Sequence, residues 1–215
     1  MPQLSGLYAI TDANLLPGAK LLSGVTDAIA GGARLIQYRD KSDDRPRRLR
    51  EATQLLQLCR DNGVIFIIND DVALAAEIGA DGVHLGRDDT DVRLARQRLG
   101  RAAIIGVSCY NDWQRAVTAR RNGADYIAFG AFFASATKPQ AVSADIALLQ
   151  RGRQELGMAQ VAIGGITPDN GAELLAAGAG ILAVVQGVFA QPDIRRAAES
   201  YARLFKSSQK MKDAT

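Results

Sequence analysis

The sequence predicts a single (β/α)8 barrel, an α/β fold, on three observations. Eight short apolar runs recur along 215 residues, and each leads into a longer segment whose apolar residues have helical spacing. Four junctions repeat one pattern, "GGARLIQY", "GADGVHLG", "GADYIAFG" and "GAGILAVV": a helix end, a tight turn and a buried strand. The length suits one compact barrel, and no linker or shift in composition marks a second domain. Strands that alternate with helices pair in parallel and are covered on both faces. An open doubly wound sheet is the main rival. It would usually carry GxGxxG after the first strand, and "ITDANLLPG" has none.

The elements follow in order. "GLYAIT" from Gly6 is the first strand and "RLIQYRD" from Arg34 the second. "DRPRRLREATQLLQLCRDNG" follows as a helix, with Leu49, Leu55, Leu56 and Cys59 on one face. The remaining strands are "VIFIIND" from Val64, "GVHLG" from Gly82, "AIIGVS" from Ala103, "YIAFGAF" from Tyr126, "QVAIGG" from Gln160 and "ILAVVQG" from Ile181. Gly31, Gly63, Gly79, Gly123 and Gly178 stand where helices should stop. Thr167 can cap a helix that Pro168 begins. The barrel is expected over residues 1–206, with 207–215 a polar, frayed tail.

Composition narrows the function classes. A hydrophobic fraction of 47% supports a large core, and 23% charged residues is ordinary for a soluble globular chain. A net charge of +3, without a dense Lys/Arg run and interleaved aromatics, argues against nucleic acid and suits a small anion. No stretch approaches the ~20 apolar residues of a membrane span, and the N-terminus lacks a signal-peptide pattern. Cys59 and Cys109 form no disulfide framework or metal motif, which points to a reducing cytoplasm. His84 is the only histidine. It leaves no multi-histidine zinc site, and a Ser-His-Asp triad would rest on it alone.

Catalytic groups of such barrels sit at the C-terminal strand ends. In "QYRDK" the strand period puts Gln37, Arg39 and Lys41 on one face and Ile36 and Tyr38 on the other. On a strand buried on both sides, that polar trio must line the barrel mouth. Asn69, Asp70 and Asp71 end strand 3, Asp88 and Asp89 follow strand 4, and Ser108 ends strand 5. Ser135, Thr137 and Lys138 follow strand 6, Gly164 and Gly165 end strand 7, and strand 8 runs into "VVQGV".

Plainer roles compete. "QYRDK" alone could be a solvated loop, Asp71 is expected as a helix N-cap, and capping would absorb one or two acids of "RDDTD". His84 reads as a hydrogen-bonded core histidine, and Trp113, Cys59 and Cys109 as packing. One acid from strand 3 and one from strand 4 would be close enough to share Mg2+, which takes oxygen ligands and completes its shell with phosphate and water. Arg39, Lys41, Lys138 and such an ion suit a diphosphate. The loops after strands 6 to 8 suit a second phosphate. The residues by themselves thus describe a two-phosphate site, of a transferase or a lyase.

In chain order, "LYAITD", "QYRDK", "INDD", "DGVHLG" with its following acids, "GVS", "TKP", "AIGGIT" and "AVVQGVF" resemble the thiamine-phosphate synthase family over nearly the whole chain. The resemblance implies a (β/α)8-barrel transferase. Its reaction joins 4-amino-2-methyl-5-(diphosphooxymethyl)pyrimidine to a thiazole phosphate, releases pyrophosphate and uses Mg2+ as cofactor. It implies that Gln37, Tyr38, Arg39, Asp40, Lys41, Asn69, Ser108 and Lys138 bind the pyrimidine diphosphate, with Arg39, Lys41 and Lys138 catalytic. It implies that Asp70 and Asp89 hold Mg2+, and that Ser135, Ala136, Thr137, Gly165, Gln186 and Gly187 bind the thiazole phosphate. The chain departs from the family at Ser135, where Thr is frequent, at Arg87, where many members have Gln, and at Gln186, where many have Ser. The partners implied are small molecules, and a homo-oligomer is compatible with the sequence. The alternatives are a thiazole tautomerase or regulator of the same fold, a Schiff-base aldolase acting through Lys138, and a non-catalytic phosphate-binding barrel.

Overall fold

The computed structural model describes residues 4–134 and 143–213. Strands and helices alternate: β1 (Gly6–Ile10), α1 (Lys20–Ala30), β2 (Ala33–Tyr38), α2 (Arg45–Asp61), β3 (Ile65–Asn69), α3 (Val72–Ile78), β4 (Gly82–Leu85), α4 (Val92–Leu99) and β5 (Ile104–Tyr110). They continue as α5 (Trp113–Arg121), β6 (Tyr126–Gly130), α6 (Ala147–Glu155), β7 (Ala159–Ile163), α7 (Gly171–Ala177), β8 (Ile181–Val184), α8 (Gln186–Phe189) and α9 (Ile194–Asp213). Every neighbouring pair of strands is parallel, and β1 pairs with both β2 and β8, which closes the barrel. All eight apolar runs are therefore strands. α9, the last helix, runs to Asp213.

The period of two along each strand sorts side chains into two cores. Tyr8, Ile10, Leu35, Ile67, Ile104 and Tyr126 pack inside the barrel. Leu7, Ile36, Tyr38, Phe66, Ile68 and Phe129 pack outward against the helices. Cys59 and Cys109 belong to the outer core and are fully buried, which pushes both thiols up to about 12. Trp113 is partly buried on the same core, beneath the Arg151 guanidinium at 4.0 Å.

Local chemistry sets the turns. Asp44, Asp71, Asp91 and Asp112 accept backbone N–H groups at the starts of α2, α3, α4 and α5. Thr167 and Asn170 exchange two such bonds, of 2.8 and 3.3 Å, but in a turn ahead of α7, which begins at Gly171 rather than at Pro168. Gly79 ends α3 with φ 69°, a conformation that favours glycine. The recurring "GAD" also has a structural reason. Asp81 accepts from Phe66 N–H at 2.8 Å and Asp125 from Ile105 N–H at 2.7 Å, so each tacks the start of its strand to the preceding one. Among the described residues, no helix is long and apolar enough to cross a membrane.

Candidate active site

The second strand keeps the expected alternation to its end. Gln37 is buried inside the barrel and donates from Nε2 to the Tyr8 hydroxyl at 2.7 Å. Beyond the last strand residue, Arg39 N–H donates to Thr11 Oγ1 at 2.9 Å, and the guanidinium lies 3.7 Å from Asp12. Lys41 Nζ lies 3.6 Å from Asp70 Oδ2. Gln37, Arg39 and Lys41 thus rise along one side into the mouth.

Tyr38 and Asp40 do not join them. The Tyr38 hydroxyl donates to Glu51 of α2 at 2.8 Å, and its ionisation is pushed far up by burial first and by Glu51 second. Asp40 accepts from Ser42 N–H at 2.8 Å and pairs with Arg47 at 2.5 Å. Both therefore tie the β2–α2 loop to α2. The cause is the strand period itself, which turns every second residue of the motif toward the helices.

At the end of β3, Asp70 has φ 63°, a left-handed conformation uncommon outside glycine, asparagine and aspartate. That turn swings its carboxylate over the mouth. Asn69 Nδ2 donates to Asp70 Oδ2 at 2.6 Å. Asp71 does what capping requires, accepting from Leu74 N–H at 2.8 Å, and it pairs with Arg48. Asp89 reaches back from the loop after β4, where it accepts from Gly86 N–H at 2.5 Å and meets the Asp70 carboxyl. Asp91 caps α4, so of the acids in "RDDTD" one caps a helix and Asp89 lies beside Asp70.

Burial, with Asp89 adjacent, pushes the Asp70 carboxyl up to about 6, although Lys41 and Asn69 pull it down. Two carboxylates forced together in this way fit a hard divalent cation, which would favour the charged form of both. Among the described residues no three His, Cys, Asp or Glu side chains converge for a metal. An ion held here would draw its other ligands from water or phosphate oxygens, as Mg2+ commonly does.

Across the barrel, Ser108 Oγ lies 2.8 Å from His84 Nε2, and His84 Nδ1 lies 2.9 Å from the Tyr126 hydroxyl. Burial drives His84 down to about 4, so it is neutral near pH 7. It is the hydrogen-bonded interior histidine that its apolar setting implied. Gly165, at φ 62°, packs against the segment after β6, where a Cβ would sit 2.5 Å from Ala134 O. Gly187 is required for another reason: a Cβ there would collide with the Tyr201 hydroxyl. Gln186 is exposed at the start of α8. Ser135, Ala136, Thr137 and Lys138 lie outside the described residues.

Three supports were not foreseen from sequence. Arg115 of α5 donates from Nε to Ser108 O and from Nη2 to Gly86 O, both at 2.6 Å, and so clamps the end of β5 to the loop that carries Asp89. Asp12 faces Arg39. Tyr8 and Tyr126 meet at 3.1 Å between their hydroxyls, at the centre of the barrel. The two tyrosines were legible in principle, since each occupies an inward position of a strand.

A closed parallel barrel whose C-terminal mouth gathers Arg39, Lys41, paired carboxylates and a serine hydroxyl is a barrel enzyme for anionic substrates. The chain belongs to the thiamine monophosphate synthase family, whose pattern matches residues 7–188. It is 52% identical over 204 residues to the thiamine-phosphate synthase of Nitrosococcus oceani, covering 95% of this chain and 94% of that one. Against the thiamine-phosphate synthase of Aromatoleum aromaticum it is 51% identical over 203 residues, 94% of this chain and 97% of the other. The solved structure of the thiamine phosphate pyrophosphorylase from Pyrococcus furiosus superposes with a TM-score of 0.85 at 32% identity, covering 94% of this chain and 96% of that one.

Proposed function

We propose that this protein is a Mg2+-assisted thiamine-phosphate synthase of the cytoplasm. It would join the aminopyrimidine methyl diphosphate to the thiazole phosphate, giving thiamine phosphate and pyrophosphate. Beyond family membership, the observation that carries this reading is the cluster of Lys41, Asp70 and Asp89 at the mouth. Asp70 and Asp89 would hold the metal, and Lys41 would supply a cation for the diphosphate. Neither a tautomerase nor a bare phosphate-binding barrel has need of that arrangement.

The chemistry follows from charge. Pyrophosphate leaves poorly until its negative charge is neutralised. Arg39, Lys41 and Lys138 would supply positive charge where negative charge develops, commonly the greatest single contribution to catalysis. Bound Mg2+ would add Lewis-acid neutralisation of the same oxygens. The methylene carbon–oxygen bond breaks with its electron pair leaving on pyrophosphate, and the electron-rich aminopyrimidine delocalises the cation. The thiazole nitrogen then donates its lone pair to the methylene carbon. No proton needs to be removed, in keeping with a mouth that lacks an ionisable histidine. Ser135, Ala136, Thr137 and the amides of Gly165, Gln186 and Gly187 are proposed for the thiazole phosphate.

Incubating the protein with both heterocycles and Mg2+ tests this directly. Thiamine phosphate and pyrophosphate are expected in equal amounts, with none when either substrate or Mg2+ is omitted. Absence of thiamine phosphate in the complete mixture would refute the reading.

A further inference from the structure

A continuous hydrogen-bonded chain crosses the inside of the barrel. Gln37 Nε2 lies 2.7 Å from the Tyr8 hydroxyl, which lies 3.1 Å from that of Tyr126. The Tyr126 hydroxyl lies 2.9 Å from His84 Nδ1, and His84 Nε2 lies 2.8 Å from Ser108 Oγ. Five residues on β2, β1, β6, β4 and β5 take part. Room is made for the chain by Gly106, where a Cβ would overlap the Tyr126 ring and its hydroxyl oxygen.

The direction of this chain follows from the Gln37 amide. An amide nitrogen only donates, so the Tyr8 oxygen accepts from Gln37. Among the described residues, the Tyr8 hydroxyl has one remaining partner, Tyr126, and must donate to it. The Tyr126 hydrogen then goes to the other neighbour, His84 Nδ1. A neutral imidazole that accepts at Nδ1 carries its hydrogen on Nε2 and donates it to Ser108. The reverse order would leave the buried Tyr8 hydrogen without an acceptor, at the cost of a buried unmade hydrogen bond. Ser108 therefore receives a hydrogen bond from within and keeps its own hydrogen for an acceptor at the mouth.

We propose that Tyr8, Tyr126 and His84 are positioning residues that fix the polarity of the Ser108 hydroxyl, so that it donates to the diphosphate. The proposal rests on the synthase reading for the identity of the anion. A serine free to donate inward could turn lone pairs toward the phosphate oxygens. The one-way chain removes that option without any charged group. It also links Gln37, proposed to bind the pyrimidine, to the hydroxyl proposed to bind its diphosphate.

The test has two arms, neither of which needs turnover. His84 is the only histidine, so the nitrogen-15 spectrum of the substrate-free protein at pH 7 contains one imidazole. Hydrogen on Nε2 with Nδ1 bare is expected; hydrogen on Nδ1, or on both nitrogens, would overturn the proposal in the wild type, whatever any variant does. The second arm measures binding of inorganic pyrophosphate with Mg2+ by calorimetry. Tyr126→Phe keeps the ring and deletes the donor to Nδ1. It should weaken binding about tenfold, the scale of one hydrogen bond to a charged group, and bring hydrogen onto Nδ1. Ser108→Ala should weaken binding similarly, and adding Tyr126→Phe to it should have no further effect. Independent losses in the double variant would show that Tyr126 does not act through Ser108. A wild type that binds pyrophosphate in this pattern yet makes no thiamine phosphate would refute the synthase reading alone.

Discussion

Lys41 Nζ stands 3.6 Å from Asp70 Oδ2, and Asp70 in turn meets Asp89. One carboxyl is thus shared between a cation, a second acid and the amide of Asn69. A metal taken up by the two acids would compete for the oxygen that Lys41 holds. Lys41 would then be free for the oxygens of an anionic substrate. Asp70 therefore links Lys41 to Asp89 at the mouth.

Lys41→Met keeps most of the stem and deletes the charge. Charge on the leaving group grows as the bond breaks, so an interaction of this kind lowers kcat and kcat/KM together. A fall in kcat of roughly 10- to 100-fold is expected, the equivalent of about 1.5–3 kcal/mol, with a smaller change in KM for the pyrimidine diphosphate. Steady-state kinetics check it, and an unchanged kcat would exclude Lys41 from the leaving-group site.

Tyr38→Phe should behave in the opposite way. Its hydroxyl donates to Glu51 on the helix side of β2, at 2.8 Å. Loss of that bond should lower stability by about 1 kcal/mol and leave kcat and both KM values near wild type. Urea unfolding and steady-state assays separate the two effects. A catalytically dead, stable Tyr38→Phe would mean that the motif had been assigned to faces one residue out of register.

Much of this was legible in the sequence, and the reasons are local. Eight strands could be read because each is a short, mostly apolar run flanked by turn and cap residues such as Asp71 and Gly79. The face carrying Gln37, Arg39 and Lys41 followed from the strand period. The motif is contiguous in sequence, but its side chains alternate, and those of Tyr38 and Asp40 reach α2. The Gln37–Ser108 chain was hidden because its links join residues up to 118 positions apart. The Arg115 clamp was hidden because an arginine on a helix surface resembles the neighbouring Arg120 and Arg121.

Asp70→Asn should raise the stability of the metal-free protein. With the folded carboxyl pushed up to about 6 from an ordinary 3.8, Asp70 contributes stability below about pH 4 and loses it as pH rises through 6. Asparagine never ionises, and it accepts the φ of 63° as readily as aspartate does. In EDTA above pH 6 the variant should therefore melt a few degrees higher than wild type. Saturating Mg2+ should raise the melting temperature of wild type only. A variant that is less stable than wild type throughout, and still stabilised by Mg2+, would count against Asp70 as a destabilising carboxylate and as a ligand to that ion.

His84 should act with the opposite sign over the same range. Burial lowers it from 6.5 to about 4, so its contribution is complete above pH 6.5 and is lost as pH falls toward 4. In metal-free wild type the two groups oppose each other between pH 4 and 6.5, which should flatten the dependence of melting temperature on pH. In Asp70→Asn the histidine acts without that opposition, and stability should fall more steeply on acidification. Melting curves in EDTA across this range, with the His84 imidazole followed by NMR, check both signs. The resonance should not titrate between pH 5.5 and 8. A midpoint near 6.5 in the folded protein would show that His84 is solvated, and the steeper acid loss of Asp70→Asn would then be absent.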